Sequence, residues 1–308
     1  MNLTDPKNSL FLYGLDQKFD FLSNLYNLGN FPRVLMLSGK KGLGKFTLIN
    51  HFLNYVFDRE NYNLELKKIN IQSLFFKQYL NNVYPNIIHL KGSNLKNIKI
   101  EDIRELKSKI LKSNISEGKR FIVLDDVELF NINSLNALLK IIEEPSTNNY
   151  FILINNKTKP MIRTITSRCL EIKILLSNQT RIKIIEHLIE NNKLNPLIDY
   201  KLHDISPGSF CVFNDICETN NINIDDHFVD SLENILNLYK KTKDINLVNF
   251  IFFLTDIFFH NKIIEKKDKF EKIYEIKNHV IDDINKFIVF NLNQKSFLNS
   301  INNRLSNG

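Results

Sequence analysis

With 308 residues and 43% apolar content, the chain is long enough for two or three domains with real cores. Its net charge of +7 suits a polyanion partner such as DNA, although a composition rich in Lys, Asn and Ile reaches the same balance through base bias in the gene. Three cysteines, Cys169, Cys211 and Cys217, are too sparse for a disulfide framework and too widely spaced for a zinc hairpin, which points to a reducing compartment. The first ten residues, MNLTDPKNSL, lack the apolar segment of a signal peptide. The most apolar run, Val248–Phe259, is broken by Asn249, Thr255 and Asp256 and falls short of the roughly 20 residues a bilayer requires. It is expected to be a buried helix of a soluble, cytoplasmic protein with no membrane partner.

Val34–Ser38 (VLMLS) is a short apolar run that feeds a glycine loop and predicts a buried parallel strand. A helix opens at Gly44 and carries Leu48, Ile49, Phe52 and Leu53. Residues 56–93 are polar and irregular, with a helix over Ile71–Leu80. Lys99–Ser113 sets Ile103, Leu106 and Ile110 on one helical face, and Ser116–Gly118 is a turn. Phe121–Leu124 predicts a second strand. Leu135, Leu138, Leu139 and Ile142 mark a helix that Pro145 terminates. Phe151–Ile154 and Glu171–Leu175 predict the third and fourth strands. Alternating strands and helices imply an α/β nucleotide domain with a doubly wound parallel sheet over 1–175. Helix follows at Thr180–Asn192 and throughout Asp225–Leu305, which suggests a small helical module at 176–219 and an all-α domain at 220–308. The density of Phe250, Ile251, Phe252, Phe253, Phe258 and Phe259 there suggests an oligomer interface.

GKKGLGKF (Gly39–Phe46) fits the phosphate-loop pattern G-x-x-x-x-G-K-[ST] except at its last position. Gly39, Gly42 and Gly44 let backbone N–H groups wrap a phosphate, the helix N-terminus adds positive potential, and Lys45 reaches the β- and γ-phosphates. Phe46 stands where a hydroxyl holds magnesium. Thr47 is one helical step away, a rotation of about 100°, and cannot take over without a shifted loop. Weak ATP or ADP binding with impaired magnesium coordination is expected.

The strand RFIVLDD ends in Asp125 and Asp126. In ATPases of this kind an Asp supports the metal and a following Glu polarises the attacking water. Asp125 fits the first role. Asp126 falls about 1 Å short in the second, a misplacement that can cost about 10²-fold in rate. Glu128 is expected to point elsewhere. The plainer reading is a solvated acidic pair at a strand end.

SLNALLKIIEEP (Ser134–Pro145) followed by ITSRC (Ile165–Cys169) resembles the clamp-loader branch of the AAA+ ATPases, and within it the delta-prime subunits of bacterial DNA polymerase III. The resemblance covers most of residues 10–215 and is chiefly architectural beyond. It implies a RecA-like AAA+ domain, a helical lid and an all-α collar. The partners it implies are gamma/tau and delta subunits, a sliding clamp and primer–template DNA. It further implies that Arg168 is an arginine finger acting in trans, whose planar, permanently charged guanidinium suits phosphate oxygens in a transition state. Such fingers are worth roughly 10³–10⁵ in rate. Sequence order puts a first sensor at Asn155 or Asn156 and a second in Ser206–Phe210, where Ser209 replaces the arginine of active members. Phe46, Asp126 and Ser209 together favour a subunit that does not hydrolyse ATP, with an active gamma/tau-like motor as the alternative. A P-loop kinase or helicase loader explains neither motif. Residues 48–124 hold no cysteine, so the family's zinc module is not expected.

Overall fold

The computed structural model describes residues 4–92, 98–112, 118–144, 148–224, 226–290 and 292–306. The expected turn at Ser116–Gly118, the stop at Pro145 and the helix start at Asp225 involve positions outside the described residues. The chain packs as two compact units, Met1–Lys193 with Ile205–Ser209, and Leu194–Asp204 with Phe210–Gly308.

The first unit contains α1 (Asp16–Asn27), β1 (Val34–Ser38), α2 (Lys45–Phe57), α3 (Leu74–Leu80), β2 (Ile87–Lys91), α4 (Ile100–Lys112), β3 (Arg120–Asp125), α5 (Ile132–Ile142), β4 (Asn149–Asn155), α6 (Arg163–Thr166), β5 (Leu170–Lys173) and α7 (Asn178–Asn192). All strand pairs are parallel, in the order β2-β3-β4-β1-β5. Every residue of β1, β3 and β4 is buried, because helices cover both faces of a parallel sheet. Alternation along β1 divides its side chains between two cores. Leu35 and Leu37 join Phe19, Phe52 and Phe121 on one face. Val34 and Met36 join Ile122, Leu138, Leu153 and Ile165 on the other.

Sequence patterning misses α1, α6 and β2. The last is an edge strand whose five residues are all half-buried, with His89 and Lys91 diluting its apolar signal. The region read as irregular therefore supplies the fifth strand, and α3 starts at Leu74 rather than Ile71. The register sets the last residues of β2, β3, β4 and β1, namely Lys91, Asp125, Asn155 and Ser38, along one edge of the sheet. That carboxyl edge is where open α/β folds hold ligands.

The second unit contains α8 (Pro207–Asn220) from Phe210 onward, α9 (Phe228–Thr242), α10 (Ile245–Glu265), α11 (Phe270–Phe290) and α12 (Gln294–Ser306). α10 is longer than its apolar run suggests, and by length and composition alone it could cross a bilayer. Its Leu247, Val248, Phe250, Ile251, Leu254 and Phe259 are instead buried within this unit, where the helix packs on α9 and α11. Its Asp256 pairs with Lys277 of α11 at 2.8 Å. Three residues read as interface, Phe250, Ile251 and Phe259, are thus core, because α10 is the central helix of its unit. Exposed apolar residues of this unit include Phe270, Tyr274, Val289 and Phe290 of α11, together with Ile245 and Ile264 at the two ends of α10.

Phe52 has no exposure and stacks on Phe31 at 4.9 Å between ring centroids. Truncating it removes a large side chain from a core of aromatic rings that cannot collapse without shifting several others. Phe52→Ala should cost about 3–5 kcal/mol. A lowered urea midpoint at unchanged slope for the sheet unit checks this.

Candidate functional site

The loop after β1 turns back through Gly42 and Gly44, both at φ 81°. Gly44 is the N-cap of α2, and its carbonyl accepts from Leu48 N at 2.8 Å. Gly39 N donates to the Asn155 carbonyl at 3.1 Å, which ties the loop's start to β4. A side chain at Gly42 would collide with Ser206 Oγ and Ser209 N, because the segment Ser206–Ser209 lies directly on the loop. Gly208 N donates to the Gly42 carbonyl at 2.9 Å, and Ser206 Oγ donates to the Lys41 carbonyl at 2.8 Å and lies 2.9 Å from Ser209 Oγ, from which it accepts. Ser209 thus stands beside the loop as a short hydroxyl where the resemblance calls for an arginine.

Lys45 is 3% exposed, and its ammonium donates to the Gly39 carbonyl at 2.6 Å and the Lys40 carbonyl at 2.7 Å. Burial pushes its pKa down to about 8, against the pull of the Asp125, Glu128 and Asp126 carboxylates. Phe46 is buried, with its ring 4.9 Å from that of His89. Burial, reinforced by Lys7 and Lys91, pushes His89 down to about 3, so the imidazole is neutral. Its Nε2 has no hydrogen-bond partner among the described residues. Thr47 lies half-exposed on α2.

The fit to a magnesium nucleotide is therefore split. The glycine turns and Lys45 suit a phosphate anion. Phe46 offers no oxygen where the metal needs one, and its ring is held against His89.

The acidic residues are not solvated, contrary to the plainer expectation. Asp125 and Asp126 are 8% and 3% exposed. Asp125 Oδ1 accepts from Asp126 N at 3.0 Å. Its pKa is pushed up to about 6, first by burial and then by the Asp126 carboxylate, with Lys91 and Lys41 opposing. Asp126 adopts a left-handed conformation at φ 52°, which opens a tight turn over Val127–Leu129. That turn carries Glu128 back into the cluster, where it is 5% exposed and contributes to the field on Lys45. The expectation that Glu128 points elsewhere is therefore corrected.

Two side chains from the segment after β4 hold these carboxylates. Asn156 Nδ2 donates to Asp126 Oδ1 at 2.6 Å, and Thr158 Oγ1 donates to Glu128 Oε1 at 2.9 Å. Asn155 Oδ1 accepts from Lys157 N at 2.8 Å, a local turn. Of the two candidate sensors, Asn156 is the one wired to the acidic cluster. Sequence order named Asn155 and Asn156 alike, whereas Glu128 carries no spacing signal, because it is brought in by the turn that left-handed Asp126 opens.

Arg168 stands apart from this buried group. It follows α6, with 39% of its side chain exposed, donating through Nη1 to the Thr164 carbonyl at 2.7 Å and pairing through Nη2 with Glu143 Oε1 at 2.8 Å. Its neighbour Cys169 is half-buried, and burial pushes the thiol up to about 12, which leaves it unreactive.

A buried parallel sheet with helices on both faces, a glycine loop after β1 and buried carboxylates at and just beyond the end of β3 make up an α/β unit, with an all-helical region following it. The family model described as "DNA polymerase III, delta subunit" matches residues 14–178, more than half of the chain, and the chain belongs to that family. A DNA polymerase III subunit gamma from Buchnera aphidicola (subsp. Acyrthosiphon pisum) is 26% identical over 169 residues, 54% of this chain and 45% of that one. A DNA polymerase III subunit delta' from Pseudomonas aeruginosa is 33% identical over 76 residues, 25% of this chain and 23% of that one. The matched stretch thus spans less than half of either relative. A solved DNA polymerase III gamma subunit-related protein from Thermotoga maritima aligns with a TM-score of 0.49 at 16% identity, over 91% of this chain and 96% of that one.

An acid whose pKa rises on folding holds more protons folded than unfolded. Between its ordinary 3.8 and about 6, Asp125 therefore removes stability as pH rises. Asp125→Asn lacks that slope. The melting temperature of the variant relative to the natural chain should climb from the acid side of this window to the neutral side, as read by thermal scans at both pH values.

Proposed function

We propose that this chain is a non-motor clamp-loader subunit of the DNA polymerase III holoenzyme. It serves in the loading of a sliding clamp on primer–template DNA together with gamma/tau and delta subunits. In this reading residues 176–219 act as a lid and 220–308 as a collar. Arg168 enters the ATP site of an adjacent subunit, while the chain's own phosphate loop holds nucleotide weakly or not at all. One contrast carries the proposal: the arginine is presented at the surface after α6, whereas the position that should coordinate magnesium is a buried phenylalanine. Membership of the DNA polymerase III delta family supports it. The net charge of +7 agrees with a DNA partner.

Chemically, a phosphoryl group gains negative charge on its oxygens as it is transferred, and a guanidinium meets that charge with fixed, parallel N–H donors. Lysine presents only a point charge and is a poor replacement. Arg168→Ala should leave the subunit folded and incorporated, since an exposed pair contributes about 1 kcal/mol or less. ATP turnover of the reconstituted complex with primed DNA and clamp should fall by roughly 10³-fold or more at the neighbouring site. Unchanged turnover at full incorporation removes the finger assignment.

The motor alternative draws on the retained Lys45 and on Glu128, which is buried within the field of that lysine. It requires ATP turnover by the purified chain alone. The expected result is none above background, and DNA-stimulated turnover at ordinary ATPase rates would favour the motor.

Assembly in this reading uses α11. Val289 and Phe290 are 71% and 69% exposed, a large apolar surface for one helix end. Phe290→Asp should leave the helical content of the free chain unchanged and weaken its incorporation into the complex, as measured by sedimentation.

A further inference from the structure

We propose that Glu143 is a positioning residue for Arg168, bracing the guanidinium on its own subunit so that it is presented in one orientation. The inference rests on the reading of Arg168 as a finger. Its starting point is a broken local rule. Glu143 is the C-cap of α5 and Glu144 follows it, which sets two carboxylates at the negative end of a helix, where cations are favoured. Local rules are broken where something else is gained. Here the nearest cation is Arg168, at 2.8 Å.

The brace has two anchors on two elements. Glu143 is carried at the end of α5, and the Thr164 carbonyl belongs to α6. These helices pack on each other, and Ile165 of α6 lies fully buried in the same core as Leu138 and Ile142 of α5. The anchors are therefore rigid relative to each other. Each takes one terminal nitrogen of the guanidinium, which fixes the plane of the group. An arginine carries five N–H donors, so two bonds leave the rest for a phosphate. A long side chain held in this way has already lost its rotamer freedom before it meets a ligand, which is how a supporting residue sharpens a reacting one.

A merely structural ion pair at this exposure would contribute little to folding and nothing to turnover. The two roles therefore separate in one experiment, steady-state ATP turnover of the reconstituted clamp-loader complex with primed DNA and clamp. The variants are Glu143→Ala, Glu143→Gln, Arg168→Ala and the double variant Glu143→Ala/Arg168→Ala, each checked for incorporation. Expected for Glu143→Ala is a fall in kcat of about tenfold, short of the roughly 10²-fold that a 1 Å misplacement can cost, with KM for ATP unchanged. Glu143→Gln, which keeps the shape and an accepting oxygen, should fall less, and it carries the test if the alanine variant fails to incorporate. The double variant should be no slower than Arg168→Ala. Glu143 variants at the natural kcat, with Arg168→Ala slow, would overturn the brace and leave the finger standing. A double variant slower than Arg168→Ala would overturn it by showing that Glu143 acts elsewhere, and a rise in kcat would show restraint instead of bracing. Unchanged turnover in Arg168→Ala removes finger and brace together.

Discussion

A buried ammonium organises the sheet unit's functional edge. Lys45 sits at the start of α2 with almost no solvent, and its charge is satisfied by two carbonyls of its own loop. Such a charge is tolerated only where hydrogen bonds and counter-charges surround it. Three carboxylates supply the counter-charge, from Asp125, Asp126 and Glu128. Each of these is itself buried and leans on a neighbour: Asp125 on the backbone of Asp126, Asp126 on Asn156, Glu128 on Thr158. The segments after β3 and β4 are thereby joined through polar contacts, and Gly39 N on the Asn155 carbonyl ties in the end of β1. Asp126 Oδ2 and Glu128 Oε2 remain without hydrogen-bond partners among the described residues. Buried acceptors of that kind are costly, and they are common where a site is built for a ligand rather than for stability.

Much of the sheet was legible because a parallel sheet covered on both faces writes itself as unbroken apolar runs. VLMLS, FIVL and FILI are short, β-branched or leucine-rich, and bounded by polar turns. The same logic fails for IIHLK. At the edge of the sheet all five residues are only half-buried, so His89 and Lys91 fit and the run loses its signature. The glycine turns after β1 were legible as a motif, since glycines at fixed spacings predict them, and Gly42 and Gly44 adopt a positive φ. What surrounds them was not. Glu128 reaches the site through a left-handed residue, Asp126, and no periodicity announces a positive φ in an aspartate; Asn156 was one of two candidates that sequence order offered, and its bond to Asp126 singles it out.

The second unit taught a different lesson. A cluster of phenylalanines reads equally as core or as contact surface, because composition does not say which face a helix turns inward. α10 is buried on so much of its circumference that its aromatics fill the bundle. α11 has a narrower buried stripe, Ile273, Val280, Ile284 and Phe287, and so leaves Phe270, Tyr274, Val289 and Phe290 outside. Amphipathic helices divide their apolar residues in this way, and a helix apolar all round belongs inside.

The meeting of Gly42 and Gly208 is a joint of bare backbone against bare backbone. A Cβ on Gly42 would strike the Ser206–Ser209 segment, and one on Gly208 would lie 2.9 Å from Gly42 Cα. Neither position can drift alone: a substitution at either wedges the two segments of the joint apart whatever stands at the other. A search for chains that share this clasp should therefore weight a lone glycine in the Ser-Pro-Gly-Ser segment as heavily as the glycines of the loop it grips, although the two are separated by more than half of the chain.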